Sequence, residues 1–483
     1  MFTKPLNALL IFMVTTPVIG WVTYKSRYRK IRGLYAVLGL SVTAYFLYEM
    51  YMEVSKKGNL QSCSLPFEAC LEIDVLSVFM ALVYVMIGIL AAAYSIRYME
   101  RDTGLTEYYT LLLGMVAGMM GVAFAGDFFT LFVFWELMSL TSYALVAFRK
   151  ERWEPIEAGF KYLIMSAAGG ATILLAMSFL YGMTGTLNFA DLAARLSGVA
   201  PNEWLYVALA LIVVGFGVKA AIVPFHTWLP DAHPAAPAPI SALLSGALVQ
   251  TGAYALIRVL LLVFGSMQTV WQMTLVVFAV LTMFVGNLMA LLQDDIKRLL
   301  AFSTIAQMGY ILFGFSIASQ QALTGSFFHI MNHAIMKSLL FLCAGGFIYR
   351  TGTRTLTELA GIRQKMPMTS LLLAIGAVAI AAIPPLNGFW SEWMIVLAGI
   401  EANMLPFSAL MIINILLSVA YYLRLINVIV LKEPTPVSER ATRAPLSMLI
   451  PILILAALCI IIGIYPGPFI ALAEVAAKAV LGL

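Results

Sequence analysis

Charge is scarce in this sequence: Asp, Glu, Lys and Arg make up only 11% of its 483 residues. A soluble domain carries about 25%, so an ordinary cytosolic enzyme is excluded. Cysteine is scarce as well, four in the whole chain. That excludes a disulfide-built scaffold, and no cysteine spacing suggests a metal or iron–sulfur site. The bases form no domain of their own, and the net charge of +5 is spread over short loops. Nucleic acid is therefore excluded as a partner. No nucleotide loop or haem-attachment motif occurs, so the chain is expected to carry no cofactor. With 62% hydrophobic residues, disorder is excluded too.

What is there is a series of apolar runs of about 20 residues, the length that crosses a bilayer as a helix. Fourteen are expected, at 6–24, 33–52, 75–96, 108–125, 128–148, 160–184, 204–227, 239–265, 270–291, 302–318, 322–349, 371–396, 405–430 and 446–466. The runs are too long and too uniform for barrel strands. The fold class is all-α, a polytopic membrane protein in the lipid bilayer. The first run follows Lys4 without a small-residue cleavage site and is expected to be retained.

Alternating the loops between two sides gives an orientation. One side collects Lys25, Arg27, Arg29, Lys30, Arg32, Arg97, Arg101, Arg149, Lys150, Arg152, Lys297, Arg298, Arg350, Arg354, Arg363, Lys365, Lys432, Arg440 and Arg443. The other collects Lys4, Lys56, Lys57, Arg195 and Lys478. The positive-inside rule puts the first group in the cytoplasm. A cell-membrane protein with both termini outside is expected. Cys63 and Cys70 then fall in an outer loop, which leaves a bridge and two free thiols both open; Cys343 and Cys459 read as packing residues.

Five bases remain inside the runs, and an ionisable group at a helix centre costs about 2.5–3.5 kcal/mol on insertion scales. Each such group is a functional candidate. Glu136 lies in the fifth run, Lys219 in the seventh and Glu392 in the twelfth. His329, His333 and Lys337 follow one another at i, i+4, i+8 in the eleventh, on one helix face. Lys161, Arg258 and Arg424 sit nearer run ends, where long side chains snorkel to water. His226 and His233 read as loop hydrogen-bond partners. His329 and His333 have metal-ligand spacing but no third ligand, so no metal site is expected. The Met-rich stretches read as core.

Two runs carry breaks. Pro224 and the Pro384–Pro385 pair remove backbone donors in mid-membrane. Their flanks echo one another, Ala220-Ala221-Ile222-Val223-Pro224-Phe225 against Ala381-Ala382-Ile383-Pro384-Pro385-Leu386, at an offset of 161 residues. Discontinuous helices in matching positions mark inverted-repeat transporters. The expected organisation is a three-helix segment at 1–107, inverted five-helix repeats at 108–265 and 266–430, and a C-terminal helix and tail at 431–483.

Several motifs carry a resemblance: Phe134-Trp135-Glu136-Leu137-Met138, Gly217-Val218-Lys219, Pro224 through Ala232 with its Trp228-Leu229-Pro230-Asp231 core, and Ala236 through Ser241. Asp295 through Ser303 and His329 through Lys337 complete the set. Over nearly its whole length the chain resembles the antiporter-like membrane subunits of respiratory complex I, Mrp-type cation/proton antiporters and membrane-bound hydrogenase-type complexes, nearest the Mrp-D-like branch. The resemblance implies a midplane proton path: Glu136 paired with Lys219, then His329, His333 and Lys337, with Glu392 as the exit group facing the protein interior. It implies a proton-translocating subunit (sodium being the alternative ion) of a redox-driven complex, NADH:quinone oxidoreductase-like or hydrogenase-like. Expected partners are small Mrp-like or complex I-like membrane subunits and peripheral iron–sulfur redox subunits. One departure stands out: Gln250, and Ser245 before it, occupy the eighth-helix positions where relatives carry lysine or histidine. Gln250 is then a relay only through water. The alternatives are a redox-independent Na⁺/H⁺ antiporter subunit and a non-conducting scaffold.

Overall fold

The computed structural model describes residues 3–23, 30–63, 69–198 and 201–482, so Lys25, Arg27 and Arg29 of the basic loop lie outside the described residues. Apart from one short hairpin, the described residues are chiefly helical. Helices α1 (Lys4–Val22), α2 (Lys30–Lys57), α3 (Val75–Tyr98), α4 (Leu105–Phe124), α5 (Phe128–Val146) and α6 (Trp153–Thr184) lead to a short amphipathic α7 (Phe189–Ser197). Then come α8 (Glu203–Lys219), α9 (Leu229–Ala235) and α10 (Ala238–Leu243), which runs through a π-helical turn (Leu244–Leu248) into α11 (Val249–Val263). The second half holds α12 (Gln268–Leu291), α13 (Ile296–Ile317), α14 (Gln320–Thr351), α15 (Pro367–Ile380), α16 (Asn387–Glu401) and α17 (Leu405–Ile426). Last are α18 (Pro436–Glu439), α19 (Leu446–Ile464) and α20 (Gly467–Leu481).

Twelve of the described helices are long and apolar enough to cross a membrane, where a helix satisfies its own backbone. The break after α8 falls inside the expected run 204–227, with α9 beyond it, and the run 371–396 is divided between α15 and α16. Fourteen crossings follow only when each divided run is counted as one. Four helices are additions to the expectation: α7, the short α9 and α18, and α20 in the stretch read as a tail. The last of these packs on α3 and α14.

The core is the helix pair α13–α14, buried along its whole apolar length. Both are buried on all sides and carry polar side chains inward, Gln307 on α13 and His329, His333 and Lys337 on α14. Around α14 pack α10, α15, α16, α19 and α20.

Both breaks have the same backbone. In the first, the amides of Ala220, Ala221, Ile222 and Phe225 donate to the carbonyls of Phe216, Val218, Gly217 and Ile222. In the second, Ala381, Ala382, Ile383 and Leu386 donate to Ala377, Ala379, Val378 and Ile383, the same bonds 161 residues on. Ala221 and Ala382 both adopt positive φ, 52° and 55°. A second recurrence follows α6 and α14, at Thr184-Gly185-Thr186 and Thr351-Gly352-Thr353. Gly185 and Gly352 close these two 32-residue helices in the left-handed conformation that glycine adopts freely. The next segments pair with the residues before α5 and α13: Phe128 N donates to Leu187 O at 3.0 Å, and Ile296 N to Arg354 O at 2.9 Å.

A hairpin covers one end of α5. Strands β1 (Leu60–Ser62) and β2 (Leu71–Ile73) pair antiparallel, and Cys63 is disulfide-bonded to Cys70. Cys70 N donates to Asp127 Oδ2 at 2.6 Å, while Asp127 caps α5 by accepting from Thr130 N at 2.7 Å. Arg258 does not snorkel. It is buried and pairs with Asp74 Oδ2 at 2.7 Å, because the acid that begins α3 lies beside α11. Arg424 instead caps the end of α12 through the Leu291 carbonyl, 2.8 Å away. Cys343 and Cys459 are buried and free.

Candidate functional site

Lys219 is the last residue of α8, where the break leaves carbonyls pointing past the helix end and a cation is favoured. Its ammonium donates to Ser166 Oγ at 2.7 Å and Tyr162 OH at 3.1 Å, both on α6. The Tyr162 ring stacks on Trp228, centroids 3.9 Å apart, and Nζ lies 4.8 Å from that tyrosine centroid and 5.8 Å from Trp135. Lys219 is thus held by hydroxyls in an aromatic cage. Small residues let the cage close: a Cβ on Gly252 of α11 would fall 2.9 Å from the Lys219 carbonyl carbon.

The pairing expected with Glu136 is not a contact. Among the described residues, no ion pair within 4 Å involves Glu136. Glu136 is half-buried on α5 with its carboxylate against Gly170, where a Cβ would come within 2.9 Å of Oε1. It stands within Coulombic reach of Lys219 and no nearer.

The second cluster lies on α14. His329, His333 and Lys337 are wholly buried on one face. His333 Nδ1 is 2.6 Å from Gln250 Nε2, and the same amide donates to Ile330 O at 3.0 Å. The two bonds assign an acceptor Nδ1 to His333. His329 bridges two further helices, Nε2 to Gln307 Oε1 at 2.7 Å and Nδ1 to Ser391 Oγ at 2.9 Å. The two imidazole centroids are 6.3 Å apart. Lys337 donates to Leu300 O at 3.0 Å and Tyr422 OH at 3.2 Å.

Glu392 follows Ser391 on α16 and is 1% exposed, inside the protein as expected. Neither carboxylate oxygen has a hydrogen-bond partner among the described atoms. The same holds for Gln307 Nε2, His333 Nε2 and Gln250 Oε1. The Gln307 amide faces Glu392 without reaching hydrogen-bond geometry. So many unpaired polar atoms in one interior are unusual, and their number gives water the two to four partners it needs there.

The structure therefore brings Gln250, His333, His329 and Glu392 together through Gln307 and Ser391. No direct hydrogen bond joins Lys219 to Gln250 among the described residues. Sequence reasoning missed Gln307, Ser391, Tyr162 and Ser166, all neutral residues within apolar helices. His233 is no loop residue: it is buried, stacked on Phe341 at 4.6 Å, with both ring nitrogens unpartnered. Lys297 is likewise buried, in the first turn of α13, and donates to Ala236 O at 2.5 Å. Among the described residues no group of three His, Cys, Asp or Glu side chains is placed to hold a metal.

Divided helices around buried ionisable side chains define a class, the ion-translocating membrane subunits. Residues 125–418 match the family described as "NADH:quinone oxidoreductase/Mrp antiporter, TM", and residues 60–109 match "NADH-Ubiquinone oxidoreductase (complex I), chain 5 N-terminus". The chain belongs to this antiporter-like family. It is 36% identical over 416 residues to NADH-quinone oxidoreductase subunit N of Desulforudis audaxviator, covering 83% of each chain. With a Na⁺/H⁺ antiporter subunit of Alkalihalophilus pseudofirmus it shares 30% identity, over 96% of this chain and 94% of that one. A subunit of the membrane-bound sulfane sulfur reductase, an archaeal respiratory membrane complex, superposes with a TM-score of 0.90 at 30% identity, covering 99% and 97%.

Proposed function

We propose that this chain moves protons from the half-buried Glu136 through the buried row of Lys219, Gln250, His333, His329 and Glu392, with Lys337 at the side of the row. As a family member it is a membrane subunit of a multi-subunit respiratory-type complex. One observation carries the reading: Gln250, on the eighth crossing, is bonded directly to His333, so the position lacking a titratable group still joins the row. Histidine is suited to pass protons near neutral pH. Glutamine cannot titrate, so the link between Lys219 and His333 runs through water, with the unpaired Gln250 Oε1 accepting from it and the His333 Nε2–H donating to it.

The recurring bonds at offsets of 161 and 167–168 residues support a division into repeats at 108–265 and 266–430. Five crossings in each repeat would make them inverted. We assign electron carriers to peripheral iron–sulfur partners and place the basic loops in the cytoplasm of a cell-membrane complex.

The likeness to a Na⁺/H⁺ antiporter subunit favours a second reading, cation/proton exchange without redox input. The two separate in one experiment: isolate the complex through a tag on this chain, reconstitute it in proteoliposomes, and follow lumen pH. Proton movement on adding an electron donor supports the redox-driven reading. Movement only under an imposed Na⁺ gradient supports exchange. No proton movement under either condition supports a scaffold and refutes both.

A further inference from the structure

One groove on the end of the molecule that carries the basic loops is not used by the proton row. It opens between the first turn of α15 and the segment entering α19. Its volume is about 420 Å³, and Met366, Met368, Leu371, Ala444, Leu449 and Arg443 line it. That volume lies within the range of small-molecule clefts, roughly 300–1,000 Å³. The lining is chiefly apolar, with one cation at its mouth. Arg443 is exposed. The segments on either side are tied together, Gly361 N donating to Val428 O at 3.0 Å and Thr435 N to Ala360 O at 3.3 Å. This brings the loop bases Arg363, Lys365 and Arg440 to the same surface as Arg443. None of the four joins an ion pair among the described residues. The nearby acids Glu433, Glu439 and Glu358 form no ion pair with them among the described residues, and Glu358 accepts from Thr353.

An apolar slot at a membrane surface, with uncompensated positive charge around its mouth, is complementary to one chemistry. That is an amphiphile with an anionic head and a hydrocarbon tail. A free phosphate would gain nothing from the methionine and leucine walls. We propose that this groove is a binding site for an anionic glycerophospholipid, an acyl chain lying between α15 and α19 and the headgroup phosphate against Arg443. Basic residues at a bilayer surface attract anionic lipid by about fivefold per charge. The guanidinium adds bidentate recognition of phosphate oxygens.

The test is native mass spectrometry of the full chain, purified and exposed to phosphatidylglycerol and phosphatidylcholine in equal amounts. The wild type is expected to retain phosphatidylglycerol preferentially. Arg443→Ala is expected to lower that preference about fivefold or more. Leu449→Trp, which fills the slot and keeps the charge, is expected to lower retention of the same lipid. Arg101→Ala removes a charge from a different cavity and is expected to leave the preference unchanged. An unchanged preference in Arg443→Ala, or an equal loss in Arg101→Ala, would overturn the site. So would a structure of the assembled complex in which a neighbouring subunit's helix fills the groove.

Discussion

The two helix breaks share a backbone and carry opposite chemistry. Before the first, Lys219 ends α8 and faces the partial negative charge of that helix's last carbonyls. In the register of the second break its counterpart is Ile380, which titrates nothing. Glu392 lies beyond the second break, six residues into α16, outside the first turn where a helix dipole still supports an anion. In the register of the first break its counterpart is Asp231. That aspartate is half-buried at the surface, bonded to Lys161 at 3.2 Å and Arg298 at 3.1 Å. Glu392 is buried and has no ion pair among the described residues. The same fold device thus holds a cation in one place and leaves a carboxylate uncompensated in the other. The two breaks share one bent backbone, and their side chains set a buried lysine at one and an unpaired carboxylate at the other.

The largest effect that separates the breaks is steric. A Cβ on Gly388 would fall 2.1 Å from the Ala379 carbonyl oxygen. Overpacking of this kind costs about 1–3 kcal/mol and more where backbone must move. Gly388→Ala is expected to remove most folded, membrane-inserted protein, measured by size-exclusion chromatography of the detergent-purified chain. Thr227, its exposed counterpart in the first break, is expected to tolerate alanine. Equal yields would mean that the two breaks are packed alike.

Next comes Glu136. Glu136→Gln is expected to abolish coupled translocation in proteoliposomes while the complex still assembles, because the carboxylate acts on Lys219 across space and not through a structural contact. Full pumping would show that hydroxyls alone govern Lys219.

A smaller loss is expected for Gln250→Leu. It leaves His333 Nδ1 without its partner, a buried polar atom worth about 1–3 kcal/mol. Translocation should slow by on the order of tenfold, equivalent to about 1.4 kcal/mol. An unchanged rate would place the connection elsewhere.

Least affected should be Asp231→Asn at the surface. Half-exposed ion pairs contribute about 0–1 kcal/mol, so the chain should unfold at nearly the wild-type denaturant concentration. A large drop would make that ion-pair network a structural clamp.

Much of this is legible in the residues. Pro224 and Pro384–Pro385 mark the breaks because a proline inside an apolar run removes a donor that the helix needs. The α14 row is legible because three ionisable side chains at i, i+4, i+8 define a face. Gln307, Ser391, Tyr162 and Ser166 are not, since neutral polar residues in apolar helices are common and only distance shows which of them converge. Asp74 and Arg258 meet across 184 residues, a contact no local pattern encodes. The contact between Glu136 and Lys219 is expected from resemblance, but helix packing holds the two apart. Thr-Gly-Thr at 184–186 recurs at 351–353 as plainly as the proline flanks recur, and that signal is in the sequence itself.

At the centre of the proposed mechanism, a proton leaves the His329 cluster through Glu392. The direct measurement is lumen pH in proteoliposomes holding the assembled complex with Glu392→Gln, beside the wild type and Glu392→Asp. An exit through this carboxylate predicts that the glutamine variant assembles and moves no protons, while aspartate retains part of the wild-type rate. Wild-type pumping by the glutamine variant would contradict it.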